Sequence, residues 1–379
     1  MRQDDALVRG VPGGQDRGAV GARRLEAVRR ALETQDPRPG AFVVASPENR
    51  RYVTGFTGSS GAAVITGDRA VFVTDFRYVD QAHLECPGWE VVRHGPVMAD
   101  TLAEMLRGLD VKTVGFEREQ ATYAFYDELA VRLRDKGIEL IPVGPVVERV
   151  REIKEEDEIA LIRAAADIAD RALGEVIHLI RPGIAERDIA LEVEYRMRKL
   201  GADGAAFPTI VASGPRAALP HGRASDKTLA AGELVTVDMG AVVRGYCSDL
   251  TRTFIIGPLG AEEERVYRLV LEAQEKALAA IRPGMTGREA DAVARDVIVA
   301  AGHGEHFGHG LGHAVGLAVH ESPRLSPTSD RVLEAGHVVT VEPGVYVSGW
   351  GGVRIEDLVV LRAGEVEVLS RFPKKLMVL

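Results

Sequence analysis

Four carboxylates and one imidazole, at Asp238, Asp249, His313, Glu342 and Glu356, each stand in a short segment patterned to point inward. Val235-Thr-Val-Asp238 reads as a buried strand ending in an acid, and Tyr246-Cys-Ser-Asp249-Leu-Thr-Arg-Thr-Phe254 alternates like a second strand. A turn over Met239 to Gly245 would make these two acids cross-strand neighbours, with Cβ atoms only ~5 Å apart. His309-Gly-Leu-Gly-His313 is a glycine-rich histidine loop, and Val341-Glu342-Pro-Gly and Arg354-Ile-Glu356-Asp357 put further acids on extended segments. Four acids gathered in one core repel one another and are driven toward protonation. Two divalent cations remove that cost, because four positive charges meet four negative ones. Oxygen-rich, sulfur-free coordination with one imidazole suits Mn(II), Co(II) or Zn(II), and Zn(II) alone usually recruits more His or Cys. Two ions at the ~3.5–4 Å spacing of dinuclear hydrolases lower the pKa of a shared water toward neutrality. Taken singly, each acid reads equally well as an N-cap, a turn residue or a surface ion-pair partner. The five together argue for a site.

Five of the ten histidines, His303, His306, His309, His313 and His320, fall close together. The glycines at 308, 310 and 312 oppose a helix there and let backbone approach a site closely. His320-Glu321 is not a zincin motif, since no second His follows three residues after Glu321. His303 and His306 read as surface histidines. For His221, in Leu219-Pro-His221-Gly222, polar surface and site residue are both open. A serine nucleophile lacks its Gly-x-Ser-x-Gly elbow, and Cys247 reads as small packing. No dinucleotide fingerprint opens a helix after a first strand, and there is no P-loop.

At 379 residues the chain exceeds the usual single-domain range, so two domains are expected. A net charge of −9, with no Lys/Arg cluster interleaved with aromatics, argues against a nucleic-acid partner. Cys86 and Cys247 are too few for a disulfide framework, which points to a reducing, cytoplasmic setting. No apolar run approaches the ~20 residues of a membrane span. Residues 1–21 are polar and glycine-containing, without an apolar stretch of the signal-peptide kind, and read as a disordered extension. Residues 22–145 alternate strands and helices, as in an α/β domain with a mixed sheet. The charged run Arg149 to Glu158 reads as a solvated helix entry, an interdomain connector, or both. Residues 146–379 group long helices against strand-rich segments, an α+β pattern. Within them the acid pairs 238/249 and 342/356 look like matching halves of a duplication.

The ordered set Asp238, Asp249, His313, Glu342, Glu356 resembles the pita-bread metallopeptidases, which include methionine aminopeptidase, aminopeptidase P and prolidase. Val237-Asp238-Met-Gly240, Ser248-Asp249-Leu-Thr-Arg-Thr253, His309-Gly-Leu-Gly-His313, His320-Glu-Ser-Pro323, Glu342-Pro-Gly344 and Arg354-Ile-Glu356-Asp357 stand in family order. The preceding domain resembles the creatinase/prolidase N-terminal domain through Tyr52-Val-Thr-Gly-Phe-Thr-Gly58 and Phe72-Val-Thr-Asp75-Phe-Arg-Tyr78. The resemblance implies two divalent ions, Mn(II) first and Co(II) or Zn(II) next. By it Asp238 chelates one metal, Asp249 and Glu356 bridge both, and His313 and Glu342 complete the other site. Glu342 doubles as the acid/base, His221 and His320 bind the substrate carbonyl and the tetrahedral oxyanion, and His309 lines the pocket beyond the scissile bond. Thr251 and Arg354 orient the carboxylates. The implied activity is hydrolysis of the Xaa-Pro bond in small peptides with proline second, by a homodimer, leaning to dipeptides. Arg50, Arg51 and Arg216, on loop-like segments, are candidate readers of the proline carboxylate. Aminopeptidase P action on longer peptides is the alternative within the family, and a non-catalytic peptide-binding scaffold the alternative outside it.

Overall fold

A computed structural model describes residues 17–379. The expected extension over residues 1–21 falls outside them as far as position 16, and from Arg17 the chain is already helical (α1, Arg17–Glu33). Its Ala, Arg and Leu content sustains a helix despite Gly18 and Gly21. Leu25, Val28 and Leu32 are its buried stripe. The described chain divides after Arg151 into two compact units.

The first unit is built on a six-stranded mixed sheet. Its strands are β1 (Ala41–Val44), β2 (Ala62–Ile65), β3 (Ala70–Thr74), β4 (Glu90–Arg93), β5 (Thr113–Glu117) and β6 (Glu139–Val143), in the order β4-β3-β2-β1-β5-β6. β1 pairs antiparallel with β2 and β2 with β3, whereas β3–β4, β1–β5 and β5–β6 are parallel. A parallel pair needs a crossover. After a short helix α2 (Pro47–Thr54), the crossovers are α3 (Val79–Glu85), α4 (Met98–Arg107) and α5 (Tyr123–Arg134). α2 corrects the loop assigned to Arg50 and Arg51. Pro47 stands at the first helical position, where its missing N–H costs nothing, and Gly55 ends the helix at φ 80°. Arg50 is buried and donates to the carbonyls of Gly58 (2.8 Å) and Gly61 (2.9 Å). It holds its own domain together and is not free to read a substrate.

The connector region continues through α6 (Val146–Glu152) and a break into α7 (Glu156–Val176). The solvated reading of its charges fails, because Arg151, Glu152, Lys154 and Glu158 are all buried. Lys154 pairs with Glu321 at 3.1 Å, Glu152 takes Arg331, and Glu158 accepts from the Tyr246 hydroxyl at 2.8 Å.

In the second unit two helix pairs each cover an antiparallel sheet. α7 and α8 (Glu186–Lys199) pack on β8 (Ile210–Ser213), β9 (Leu234–Met239) and β12 (Leu250–Ile255). Before β8 lies the short β7 (Gly204–Ala205), and between β9 and β12 a hairpin of β10 (Ala241–Val243) and β11 (Tyr246–Cys247). α9 (Ala261–Ala280) and α10 (Gly287–Ala300) pack on the second sheet. That sheet runs β14-β13-β15-β18-β19, from β13 (Gly312–Ala314), β14 (Glu321–Leu325), β15 (Val338–Val341), β18 (Asp357–Leu361) and β19 (Val366–Val368). The hairpin β16 (Gly344–Val347) with β17 (Gly351–Arg354) links β15 to β18. The arrangement repeats. In each half the central strand runs into a short hairpin, and the returning strand starts directly after an acid, Asp249 before β12 and Glu356 before β18. The architecture is α/β followed by the α+β pita-bread unit.

Candidate metal centre

The first acid pair is closer to a diagonal than to a cross-strand pair. Asp238 on β9 stands opposite Thr251, so Asp249 lies two positions further along, beyond the Leu250–Met239 pair. The single returning strand read from the sequence is in fact two. Arg244 and Gly245, at φ 46° and 79°, close a tight β10–β11 turn, and the chain breaks at Ser248 before β12 begins. The break is what frees Asp249 to point inward beside Asp238. One oxygen from each of Asp238, Asp249 and Glu356 lies within 4.8 Å of the others. The second half supplies the remaining two groups. His313 on β13 places Nε2 3.3 Å from Glu342 Oε1 and 3.7 Å from Asp249 Oδ2.

Neighbouring groups hold these side chains in place. Glu342 follows β15 and is fixed by its own N–H to the Leu311 carbonyl (2.8 Å) and by Thr340 Oγ1 on its Oε1 (3.0 Å). Thr251 Oγ1 donates to Glu356 Oε2 at 2.7 Å. The buried Arg354 guanidinium reaches Asp238 Oδ2 (2.6 Å), Thr251 Oγ1 (3.0 Å) and the Tyr346 hydroxyl (2.9 Å). Tyr346 in turn meets His309 Nε2 at 2.8 Å. The His309 Nδ1–H donates to the Gly310 carbonyl, so Nε2 accepts from Tyr346 and Tyr346 accepts from Arg354.

The protein does not satisfy this charge by itself. Asp238 Oδ1 and Glu356 Oε1 are buried with no hydrogen-bond partner among the described residues. Burial, then the charges of Glu356, Asp238 and Glu342, push the Asp249 carboxyl well above the usual range. Burial, with Glu342 and Asp238, does the same to Glu356. Burial also raises Asp238, although Arg354 works against it. Glu342 goes the other way: burial would raise it, but the His313 hydrogen bond and charge bring it down to about 2. The Nδ1 of His313 lies 3.1 Å from the Ala314 carbonyl and donates to it. Its Nε2 faces the Glu342 and Asp249 carboxylates; burial would lower this imidazole, but the hydrogen bond and charge of Glu342 raise it. Orphaned buried oxygens, raised acids and an imidazole set between two carboxylates are a donor set that fits divalent cations.

A cavity of about 360 Å³ opens over the cluster, lined by all five of these residues together with His221, His309, His320 and Arg354. The rings of His313 and His320 are 4.4 Å apart, and burial, then His313, keeps His320 below the usual imidazole range. His303 and His306 bond each other at 3.1 Å and do not line the cavity. Cys247 lies against the Leu317 carbonyl, and Arg216 is tied to buried Glu186 at 3.0 Å. Two residues were missed. Arg324 lines the cavity from β14, exposed and with no carboxylate partner among the described residues, and Tyr346 joins His309 to Arg354. A signal for both existed. Each stands four positions after a singled-out residue, His320 or Glu342, on an extended segment where every second side chain shares a face.

Residues 160–363 match the metallopeptidase family M24, and residues 24–153 the creatinase/prolidase N-terminal domain. The chain belongs to the M24 metallopeptidases. It is 47% identical over 338 residues to the uncharacterised peptidase YqhT of Bacillus subtilis, covering 89% of this chain and 95% of that protein. The structure of an Xaa-Pro dipeptidase from Bacillus anthracis superposes with a TM-score of 0.92 at 42% identity, over 95% of this chain and 100% of the other. An X-Pro aminopeptidase from Thermotoga maritima MSB8 gives 0.84 at 39% identity, over 92% and 100%. M24 metallopeptidases use divalent metals, and the buried carboxylate cluster fits them. No helix among the described residues is long and apolar enough to cross a membrane.

Proposed function

We propose that this M24 metallopeptidase is a dinuclear exopeptidase that hydrolyses the Xaa-Pro bond, with a leaning to Xaa-Pro dipeptides. The observation that carries it is the buried triad Asp238, Asp249 and Glu356, with ligand oxygens within 4.8 Å and two oxygens unpartnered. Asp238, Asp249, His313, Glu342 and Glu356 would hold two divalent ions, Mn(II) first and Co(II) or Zn(II) next, which supply an activated water and polarise the scissile carbonyl. Glu342, ionised and 3.3 Å from His313 Nε2, takes a proton from the attacking water and delivers it to the departing proline nitrogen. His320 and His221, both lining the cavity, donate to the carbonyl oxygen and to the tetrahedral oxyanion. His309, held by Tyr346, lines the space for the proline ring. Arg354 locks Asp238 and Thr251.

Dipeptide preference needs a fixed cation for the proline carboxylate. With Arg50 committed to backbone carbonyls and Arg216 to Glu186, the unpaired Arg324 takes that place. Rates on Ala-Pro and Ala-Pro-Ala, measured with Mn(II) before and after chelation, test the proposal. Dipeptide hydrolysis that vanishes on chelation and returns with metal is expected, and hydrolysis indifferent to metal removal would end it. Arg324→Met should lower kcat/KM for Ala-Pro by about 100-fold, as loss of a charge-assisted pair implies, with less effect on Ala-Pro-Ala. Equal or faster cleavage of the tripeptide favours aminopeptidase P, the activity named for the Thermotoga maritima relative. We place the enzyme in the cytoplasm, consistent with Cys86 and Cys247 being buried thiols not joined in a disulfide, and, as its family resemblance implies, as a homodimer.

A further inference from the structure

We infer that Glu186 is the positioning residue for the loop that carries His221, an inference that rests on the role proposed above for His221. The loop leaves β8 at Ser213, turns through a short 3-10 segment, Gly214–Ala218, and returns at Ser225. The His221 ring makes no side-chain hydrogen bond among the described residues, so its place is set by the backbone beneath it. One carboxylate holds both ends of that backbone. Glu186, wholly buried in the first turn of α8, accepts through Oε1 from the Ser213 N–H and Oγ, each at 2.8 Å. Through Oε2 it accepts from the Ser225 N–H (3.1 Å) and Oγ (2.6 Å). Arg216 Nε adds a charged bond at 3.0 Å, and the same guanidinium donates to the Arg223 carbonyl on the far side of His221.

The clasp is therefore made at the entry, the middle and the exit of the loop. The α8 N-terminus closes it from the backbone: the N–H of Glu186 reaches Lys227 O and that of Arg187 reaches Ser225 O, both at 3.0 Å. At the tip, Arg354 Nη1 touches the Pro220 carbonyl at 3.3 Å, joining the loop to the Asp238 side of the cluster. A buried carboxylate persists only when its lone pairs are filled, and here every donor but Arg216 comes from the two loop ends. Its structural outlet is the placement of His221, which touches none of those donors.

Glu186→Gln keeps the shape, but an amide nitrogen cannot accept, so one loop end loses its anchor. In the metal-loaded enzyme, hydrogen exchange at the amides of residues 214–224 should rise by about 10-fold or more, with metal content unchanged. kcat/KM on Ala-Pro should fall by about 100-fold, the scale of a misplaced catalytic group. The double variant Glu186→Gln/His221→Ala should match His221→Ala alone within about twofold. Unchanged exchange, or losses that multiply in the double variant, would overturn the inference. If Glu186→Gln does not fold, Ser225→Ala removes one donor and should give the same exchange pattern with a smaller rate loss; no change in exchange there overturns it equally. If His221→Ala leaves hydrolysis intact, the role proposed for His221 fails, while loop exchange still decides the clasp.

Discussion

Glu356 and Asp357 are neighbours in sequence, both buried, and live in opposite electrostatic worlds. Asp357 starts β18 and points into a cluster the protein completes by itself. Arg252 Nη2 (2.8 Å), Lys374 Nζ (2.9 Å) and Gln274 Nε2 (2.9 Å) fill its two oxygens. Burial would raise its carboxyl, but Arg252 and Lys374 bring it below the usual range. Glu356 points the other way, into the cavity, with one oxygen bonded to Thr251 and the other without a partner among the described residues. Thr251 and Arg252 split in the same manner, one to each face. Two successive residues on an extended chain face opposite sides, so one pair of strands carries a completed ion cluster behind an incomplete one. Protein cations meet the charge of Asp357, whereas Glu356 keeps one oxygen that no described residue satisfies and that a cation would.

The contrast breaks if both acids respond alike to neutralisation. The largest effect is on activity. Glu356→Gln should lower kcat/KM on Ala-Pro by about 10³-fold or more, since several kcal/mol of charge stabilisation are lost with a ligand. Metal content measured by mass spectrometry should fall with it. Next comes stability at the completed cluster. Asp357→Asn strands Arg252 and should cost about 3–5 kcal/mol in urea unfolding of the metal-free protein. Glu356→Gln in that same metal-free protein removes repulsion from Asp249 and Glu342. It should be neutral or stabilising by about 1–2 kcal/mol, the opposite sign to Asp357→Asn. If Glu356→Gln destabilises the chelated protein as much as Asp357→Asn does, the distinction between completed and incomplete clusters is wrong.

The smallest effect sharpens the comparison from a third buried group. His337 is fully buried, accepts from the Glu334 N–H at 3.0 Å through Nδ1, and has no partner at Nε2 among the described residues. Burial, then Lys154 and Arg331, push it down to about 3. The folded value lies below the unfolded one of ~6.5, so the unfolded chain takes up the proton first as pH falls. Stability is then full above about 6.5 and drains toward pH 3, by about 1.4 kcal/mol per pH unit inside the window. His337→Asn should flatten that slope in chelated protein, and identical slopes would show that His337 does not titrate there.

Much of this was legible before any coordinates. The α/β and α+β halves follow from strand and helix periods. The misses share a cause. α2, where the sequence suggests loop at Arg50 and Arg51, is short and polar, and its signals are the proline at its first helical position and the glycine past its last. The run Arg149 to Glu158 was read as solvated because charge on its own predicts water. Each of its buried members is bonded within its own unit, by partners such as Glu321, Arg331 and Tyr246 that lie far along the chain. The direct opposition of Asp238 and Asp249 failed because a tight turn at Arg244 and Gly245 inserts a hairpin that alternation cannot reveal.

Residue chemistry alone marked five candidate cation ligands and the order in which they occur, since hard or borderline donors with no sulfur leave few other uses. Which oxygens stay unpartnered among the described residues, that Glu356 turns to the cavity while Asp357 turns to Arg252, that Arg324 lines the cavity, that Tyr346 joins His309 to Arg354 and that Glu186 takes donors from Ser213 and Ser225 were decided by the fold. Those facts depend on contacts between segments tens to hundreds of residues apart, and a local pattern carries no record of which distant partner arrives.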